Sequence, residues 1–573
     1  MFESELVIAR QTWQSFERDL SRLLTYDGFE NVRLVGQTND HGADVVAMRY
    51  GKKWLFQAKH WSKPVGLSVV TETLKAAKEY GAEVPVIVAS SGFDAPAKAK
   101  HKELLDEGIR LQLWDSTDLV KTAKKLFDDP ALAKSKPRPL REYQKHAVES
   151  TVGAYFDEDD NRALAVMATG LGKTYVAAES IRRIRAIQPN ARVLVCAHTT
   201  DLVYQLERAF WPFLQPRDTT VVFNSNETVT EDQLNNADFV FACVDSMANY
   251  LSKRAAPEFD ILLVDECHHV GAKRYDIVFD ALDAGSLNGA FALGLSATPW
   301  RADEIDIREY FGDPRVSIDM VQGLKQGFLA NVDYRMFSDN IDWDMLANLQ
   351  GKSFSPKQIN RTLFINEWDD AVVYRLKEAW REQSRPRAIV FCGTIDHAQT
   401  MRDKINQLGF CRAEALYSGG GRPGESMNQY QRNRILGDFA NGDIACLCVV
   451  DIFNEGIDVP DVNIIVFQRV THSRRIFIQQ LGRGLRISED KDKVIVLDFV
   501  SDIRRFAAGI ELKDKLEEGP NRISLPNKVT FMRIGEDDAA VESFLREWLE
   551  DVVAIEEADE DASVLKFPPS AVH

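Results

Sequence analysis

Apolar runs alternate with amphipathic stretches along most of the 573-residue chain, as strands alternate with helices in α/β proteins. Between about 139 and 330, the runs ALAVM, RVLVCAH, DFVFACV, DILLVDE and FALGLSA are separated by helical patterns. A second set, RAIVFCG, ACLCVVD, NIIVFQR and KVIVLDF, follows between about 386 and 500. Near-continuous apolar strands are typical of parallel sheets that helices cover on both faces. The pattern therefore predicts two α/β domains in tandem.

The first 125 residues have a pattern of their own. A helical pattern at 5–25 precedes the strand-like runs VRLVG, DVVAMR, KWLFQAK, PVIVAS and RLQLW, with another helical stretch at 68–80. The run DDPALAKSKPRPL then has the composition of a linker. We divide the chain into an α/β domain at 1–125, a linker at 126–138, tandem domains at 139–330 and 331–515, and a C-terminal extension at 516–573.

Charge is distributed unevenly. The formal net charge is −17, yet residues 536–561 alone hold twelve acidic residues against one basic residue, Arg546. This acidic tail includes VESFLREWLEDVV, whose apolar positions recur at helical spacing and predict a short amphipathic helix. The amino-terminal domain is close to neutral and carries a basic cluster. Its members are Lys52, Lys53, Lys59 and Lys63.

The start of the chain, MFESELVIARQTWQSFERDL, is charged throughout and lacks the basic patch and apolar run of a secretory signal. No apolar run reaches the roughly 18 residues that a membrane span requires. These features predict a cytoplasmic protein.

The run ALAVMATGLGKT places a glycine-rich turn between an apolar strand and a helical pattern, the setting of a phosphate-binding loop. Gly170 and Gly172 allow backbone N–H groups to close around phosphate oxygens, with Thr169 in the same loop. Lys173 is expected to contact the β and γ phosphates, and Thr174 to hold Mg²⁺. The loop predicts ATP and Mg²⁺ as cofactors.

The other half of such a site needs two carboxylates at the end of a buried strand. The run ILLVDECHH supplies them directly after four apolar residues. Asp265 is expected to bind the metal ion and Glu266 to orient the attacking water. Together with the loop upstream, this pair predicts ATP hydrolysis.

In its order of motifs, the chain from about 138 to 500 resembles the superfamily 2 helicases. LREYQKHA resembles their adenine-reading motif, which makes Gln144 the expected base contact with Arg141 beside it. LGLSATP resembles their coupling motif, with Ser296 and Thr298, and IVFCGTIDHA resembles motif IV. The resemblance implies that the tandem domains are RecA-like.

Two further motifs lie in the second tandem domain. VVDIFNEGIDVPDV resembles motif V, with Gly456 and Asp458, and QQLGRGLR resembles motif VI, with Gln479, Arg483 and Arg486. These arginines are expected to reach the γ-phosphate across the cleft between the domains. The combined motifs look most like the XPB-like branch and the motors of type I and type III restriction enzymes, which act on duplex DNA. An RNA helicase remains the alternative.

In the amino-terminal domain, Asp44 lies at the end of one strand, and Gln57 and Lys59 lie two apart on the next strand, so their side chains share one face. A metal-dependent nuclease needs an acidic ligand, a second oxygen ligand and a lysine near the attacking water. With Glu17 on the preceding helix, these runs resemble the Mrr-type branch of the PD-(D/E)xK restriction endonucleases. Gln57 stands where the wider superfamily has Glu.

The resemblance implies an ATP-dependent DNA translocase fused to a Mg²⁺-dependent endonuclease, in restriction-type defence or DNA repair. The alternative is a DNA-stimulated ATPase sensor whose nuclease fold binds without cutting. No run resembles a target-recognition domain, so we expect a protein partner, a DNA end or a modification to supply specificity.

Overall fold

The computed structural model describes seven main stretches of the chain. These are residues 1–35, 43–297, 306–337, 369–417, 429–450, 462–468 and 493–499, with short pieces at 353–354, 427, 485, 491, 528–532 and 565–566. The predicted acidic helical tail lies outside them.

The amino-terminal domain is built on a five-stranded mixed sheet. Strands 1 to 3 pair antiparallel in the order of the chain, and strands 3 to 5 pair parallel. The strands are β1 (Glu30–Leu34), β2 (Val45–Arg49), β3 (Lys52–Lys59), β4 (Val84–Ala89) and β5 (Gln112–Asp115). The helices are α1 (Glu5–Arg10), α2 (Trp13–Asp27), α3 (Leu67–Tyr80), α4 (Ala95–Asp106) and α5 (Ser116–Asp128).

The predicted helix at 5–25 is two helices. The chain leaves helical geometry at Gln11 and Thr12, and the Thr12 hydroxyl caps α2 by accepting from the N–H of Ser15. Such a cap satisfies one of the N–H groups that a helix start leaves unpaired, so it favours a new helix over continuation. An apolar pattern that continues in phase hides this break.

The first tandem domain contains a seven-stranded parallel sheet in the order 12-6-11-10-7-9-8. Its strands are β6 (Arg162–Met167), β7 (Val193–Ala197), β8 (Thr220–Phe223), β9 (Phe239–Cys243), β10 (Ile261–Val264), β11 (Phe291–Ser296) and β12 (Pro314–Ile318). Its helices are α6 (Glu142–Tyr155), α7 (Lys173–Ile187), α8 (Thr200–Phe210), α9 (Glu231–Asn236), α10 (Val244–Leu251), α11 (Lys273–Leu282), α12 (Arg308–Phe311) and α13 (Met320–Lys325). The central strands are buried along their whole length, because helices cover both faces.

The second tandem domain repeats this architecture with a sheet in the order 16-17-15-18-19-13-20. Its strands are β13 (Asn331–Phe337), β15 (Ala388–Phe391), β16 (Ala413–Leu416), β17 (Cys446–Val449), β18 (Ile464–Phe467), β19 (Lys493–Phe499) and β20 (Lys528–Met532). Its helices include α14 (Asp369–Arg381), α15 (Ile395–Leu408) and α16 (Gln429–Asn441), while β14 (Ser353–Phe354) pairs separately with β21 (Leu565–Lys566). The sheet thus takes β20 from the segment that the sequence analysis placed in the C-terminal extension.

Helix α2 packs against the first tandem domain through a buried ionic cluster. Arg18 lies between Glu207 and Glu227, with its Nε 3.2 Å from a Glu207 oxygen and its Nη1 hydrogen-bonded to Glu227. All three side chains are almost completely buried. Burial opposes the charge on Arg18, but the two carboxylates outweigh it and raise the pKa of the guanidinium.

Two more buried side chains of α2 extend this contact. The guanidinium of Arg22 and the hydroxyl of Tyr26 donate hydrogen bonds to backbone carbonyls of the first tandem domain. The acceptors are Gln215 at 2.8 Å and Asp218 at 2.9 Å for Arg22, and Trp211 at 2.8 Å for Tyr26. Arg33 of β1 also donates to the carbonyl of Leu436 on α16, at 2.9 Å. The amino-terminal domain therefore contacts both tandem domains.

The predicted α/β fold class is confirmed, with a small mixed-sheet domain followed by two parallel-sheet domains. Within the stretches that the structure describes, no helix has the length and apolar character needed to cross a membrane.

Candidate active sites

The glycine-rich loop connects β6 to α7 at the carboxyl edge of the first parallel sheet. Gly170 has φ 95° and Gly172 has φ 87°, a backbone region that is open mainly to glycine. A Cβ at Gly172 would also lie 2.8 Å from Nε2 of Gln144, so a larger residue would have to displace that amide. Lys173 begins α7 and is almost buried. The loop therefore presents the helix N-terminus and a lysine to one position.

Two features of the loop fit a bound phosphate. The hydroxyl of Thr169 is buried and has no hydrogen-bond partner among the described residues. Thr174 follows Lys173 on the first turn of α7, half-buried. Phosphate oxygens would accept from the Thr169 hydroxyl and from the unpaired N–H groups at the helix start.

The acidic pair lies opposite this loop. Strand β10 ends at Val264, and the N–H of the next residue, Asp265, donates to the carbonyl of Cys196 on the neighbouring strand. Glu266 adopts the left-handed conformation, with φ 48°, and its Oε1 lies 3.2 Å from Nζ of Lys173. For a residue other than glycine this backbone is unusual and costs energy, as is common at functional sites. The turn brings the carboxylate to the lysine.

The electrostatics of Asp265 match a metal-binding role. Burial is the main cause that raises the pKa of this carboxyl above its ordinary value, and the negative charge of Glu266 adds to the effect. Lys173 opposes both but does not cancel them. A nearby divalent cation would favour the ionised form, since it supplies the positive charge that the buried site lacks.

His268 links the acidic pair to the coupling motif. Its Nδ1 lies 3.4 Å from Oε2 of Glu266 and 3.3 Å from the hydroxyl of Ser296, the last residue of β11. His268 lies in the run VDECHH but is not among the site residues predicted from the sequence. Its place two residues after Glu266 was the available signal, but a histidine near a carboxylate is common in proteins without a catalytic role.

Gln144 and Arg141 stand at the start of α6, where the backbone N–H of Arg141 donates to Oε1 of Gln144. The Gln144 amide also donates to the carbonyl of Leu171 in the phosphate-binding loop, at 2.9 Å. Arg141 itself donates to the carbonyl of Phe328, at 3.2 Å. Gln144, the residue expected to contact adenine, is therefore hydrogen-bonded to the phosphate-binding loop.

Several predicted residues lie outside the described residues and stay predictions. They are Thr298, Gly456, Asp458, Gln479, Arg483 and Arg486.

The second candidate site lies in the amino-terminal domain. The antiparallel pairing of β2 with β3 places Asp44 beside Gln57, and Oδ2 of Asp44 accepts from the N–H of Ala58 at 2.6 Å. Asp44 and Gln57 are buried, and Lys59 is partly exposed. Lys59 also lies over the ring of Trp61, 5.7 Å from its centroid. Asp44, Gln57 and Lys59 are thus neighbours at one end of the sheet.

Glu72 of α3 is a residue of this site that the sequence analysis did not select. Its Oε2 accepts from the Gln57 amide at 2.8 Å and lies 3.8 Å from Nζ of Lys59. The sequence offers no motif for it, because only the packing of α3 on the sheet turns this position toward β3. The predicted Glu17 lies half-buried on α2, directly before Arg18.

Within the described residues, no group of three or more His, Cys, Asp and Glu side chains is arranged to hold a metal ion. The predicted metal ligands do not form such a group, because two of them are neither acidic residues nor His or Cys. Thr174 would bind through its hydroxyl and Gln57 through its amide oxygen.

Three protein-family models match the chain in succession. A model described as restriction endonuclease matches residues 8–123, one described as type III restriction enzyme, res subunit, matches 138–301, and a helicase conserved C-terminal domain matches 370–488. The resemblance inferred from the motifs is confirmed by these matches.

Curated relatives agree with this combination. The endonuclease subunit of the type I restriction enzyme EcoAI from Escherichia coli is 27% identical over 528 residues, which cover 85% of this chain and 62% of that protein. A putative mitochondrial ATP-dependent helicase, irc3 from Schizosaccharomyces pombe, is 26% identical over 378 residues, 65% of this chain and 59% of that protein. The chain thus spans about three fifths of the length of these relatives.

A solved structure shares the fold. The ATP-dependent type ISP restriction-modification enzyme LlaBIII, bound to DNA, superposes with a TM-score of 0.51 at 19% identity, over 96% of this chain and 43% of that one. The chain therefore matches, in succession, a restriction-endonuclease model, a type III restriction-enzyme model and a helicase C-terminal model, in the order that its motifs predict.

Proposed function

We propose that this chain is an ATP-dependent DNA translocase that carries a Mg²⁺-dependent nuclease on the same polypeptide. The observation that carries the proposal is the contact between Lys173 of the phosphate-binding loop and Glu266 after β10, 3.2 Å apart in a largely buried position. ATP hydrolysis requires such a lysine and carboxylate to face one phosphate chain.

In this proposal, Lys173, Gly170, Gly172 and the Thr169 hydroxyl bind the phosphates of ATP, and Gln144 with Arg141 binds the base. Thr174 and Asp265 hold Mg²⁺, which when bound neutralises phosphate charge. Glu266 accepts a hydrogen bond from the attacking water, orients it and acts as its general base.

Further roles concern coupling and closure of the cleft. Ser296 and Thr298 couple the state of the bound nucleotide to movement of the domains. Three residues of the second tandem domain contact the nucleotide, namely Gly456, Asp458 and Gln479. Arg483 and Arg486 complete the site when the cleft closes, which couples hydrolysis to domain movement.

In the nuclease site, Asp44 and Gln57 are proposed to hold the metal ion and Lys59 to act beside the attacking water. Glu17 is proposed as a further acidic residue of the same site. The proximity of Asp44, directly before β2, to Gln57 and Lys59 on β3 supports these roles.

The proposed substrate is duplex DNA, bound mainly through its phosphates. Acidity concentrated in one tail leaves the rest of the chain able to make such contacts. We place this activity in restriction-type defence, which the name of the restriction-enzyme relative favours, or in DNA repair, inside the cell and with a protein partner supplying the target.

Lys59→Ala tests the nuclease. We expect the wild-type protein to cut plasmid DNA in the presence of ATP and either Mg²⁺ or Mn²⁺. The variant is expected to cut at least about 10²-fold more slowly, because a positioned charge at the reacting group is lost. Lys63→Ala, a lysine of the same basic cluster, serves as the matched control and is expected to cut at the wild-type rate. The measurement is the rate of plasmid linearisation with and without ATP.

If the wild-type protein leaves plasmid intact under every condition, with Mn²⁺ as well, the nuclease assignment is wrong and the sensor alternative replaces it. If RNA but not DNA raises the rate of ATP turnover, the chain is an RNA helicase instead.

A further inference from the structure

Glu72 lies at the mouth of the nuclease site and contacts two of its proposed residues through one oxygen, Oε2. The Gln57 amide is completely buried, whereas the Glu72 side chain is 43% exposed. The carboxylate therefore stands between a fixed buried amide and solvent, within reach of Lys59. A carboxylate in this position can bind an ion from solvent while it remains next to Gln57 on β3.

The hydrogen bonds of Gln57 admit two arrangements. The Thr73 hydroxyl lies within bonding distance of two acceptors, Oε1 of Gln57 and the carbonyl of Val69, the latter at 2.7 Å. A hydroxyl has one hydrogen and can donate to only one of them. If the amide turns by half a rotation, Thr73 donates to Val69 and accepts from Nε2 of Gln57, so both of its contacts are satisfied.

In the structure, Nε2 of Gln57 lies 2.8 Å from Oε2 of Glu72. After the rotation, the amide oxygen takes the place of this nitrogen and faces the Glu72 carboxylate. Two oxygens at this distance repel each other unless a positive charge lies between them. Adjacent ligand oxygens around an octahedral Mg²⁺ are about 3.0 Å apart, given bonds of about 2.1 Å. The spacing of the amide and the carboxylate therefore suits a divalent cation.

Charge favours the same reading. Asp44 is an acidic ligand, but Gln57 contributes no charge where the wider superfamily has a carboxylate. A second carboxylate within reach of the amide restores the balance of two negative charges against a divalent cation, and hard cations prefer such oxygen ligands.

We infer that Glu72 is a metal ligand of the nuclease site, acting with the amide oxygen of Gln57 and supplying the negative charge that Gln57 lacks. This inference rests on the proposed nuclease function. In the metal-free site, Glu72 accepts from the amide nitrogen of Gln57 and pairs with Lys59.

Metal binding by the full chain tests this role. Mn²⁺ is titrated by calorimetry in the Asp265→Asn background, without nucleotide, so that the ATP site contributes as little as possible. We expect Glu72→Gln to weaken Mn²⁺ binding tenfold or more, a loss of about the size seen when metal-site partners are removed. Glu103→Gln, an exposed carboxylate paired with Lys100 on α4 of the same domain, is the control and is expected to bind as the background does.

Glu72→Gln is isosteric and half-exposed, and its amide can still accept from Gln57, so the fold is expected to keep its melting temperature. Equal Mn²⁺ affinity in the Glu72→Gln and Glu103→Gln proteins overturns the inference. Plasmid cleavage by proteins with Asp265 intact separates a failure of the Glu72 inference from a failure of the proposed nuclease function. If the wild-type protein binds and cuts and Glu72→Gln does both equally well, only the role of Glu72 is wrong. If the parent proteins neither bind Mn²⁺ nor cut, the proposed nuclease function fails with it.

Discussion

Glu266→Gln is expected to slow ATP hydrolysis by about 10²–10⁴-fold, the usual contribution of a positioned general base. The amide keeps the size of the side chain but cannot take a proton from water. Nucleotide binding should persist, because Lys173 and the glycine-rich loop are unchanged. The measurement is single-turnover phosphate release in the presence of DNA, beside the affinity for a fluorescent ATP analogue.

Glu258→Gln, an exposed carboxylate just before the same strand, is the control and should hydrolyse ATP at the wild-type rate. Hydrolysis by Glu266→Gln within a few fold of this control would contradict the assigned role. A parallel loss of nucleotide binding would show instead that the substitution disrupts the site, since Glu266 pairs with Lys173.

Arg18→Ala is expected to release the amino-terminal domain from the first tandem domain. Removal of the guanidinium leaves Glu207 and Glu227 buried without their shared counter-charge, and breaking a buried pair from one side costs about 3–5 kcal/mol. Burial is the main cause that raises the pKa of Glu207, with Arg18 acting against it. Without the arginine, this carboxyl should take up a proton at higher pH than it does in the wild-type protein.

A cost of this size corresponds to an increase of roughly 10²-fold or more in the undocked population. Limited proteolysis of the linker reports it as faster cleavage that yields the amino-terminal domain as a fragment. Arg10→Ala, an exposed arginine at the end of α1, is the control. Equal cleavage rates in the two variants would show that the buried cluster does not hold the domains together.

The parallel sheets could be predicted because their strands are buried on both faces, and therefore appear in the sequence as apolar runs such as DILLVDE. The contact of Lys173 with Glu266 could also be predicted, because the carboxyl ends of parallel strands meet at one edge of a sheet. Alternation along β3 identified Gln57 and Lys59 as neighbours. In each case the signal is local, a period or a motif of a few residues.

The features that could not be predicted depend on packing between distant segments. Glu72 joins the proposed nuclease site only because α3 packs with this position toward β3. The cluster of Arg18 with Glu207 and Glu227 joins side chains about 200 residues apart, and each alone reads as an ordinary surface charge. The break at Thr12 depends on one hydroxyl cap within a continuous apolar pattern.

The contact of the amino-terminal domain with both tandem domains bears on how the two activities are joined. Arg18 and Arg22 fix the nuclease to the domain that carries Lys173, and Arg33 contacts the domain that is proposed to close over the nucleotide. In the proposed mechanism, a nuclease held in this way would move with the first tandem domain, and DNA drawn through the cleft would be presented to it there.

Displacement of a third strand from duplex DNA tests the proposed translocation. The Lys59→Ala protein is used, so that cleavage does not remove the substrate while the ATPase site stays intact. We predict that ATP addition releases a bound triplex-forming oligonucleotide, after a lag that lengthens as the distance to the loading site grows. ATP turnover that is stimulated by DNA while the third strand stays bound at every distance would contradict the account and identify the ATPase as a switch.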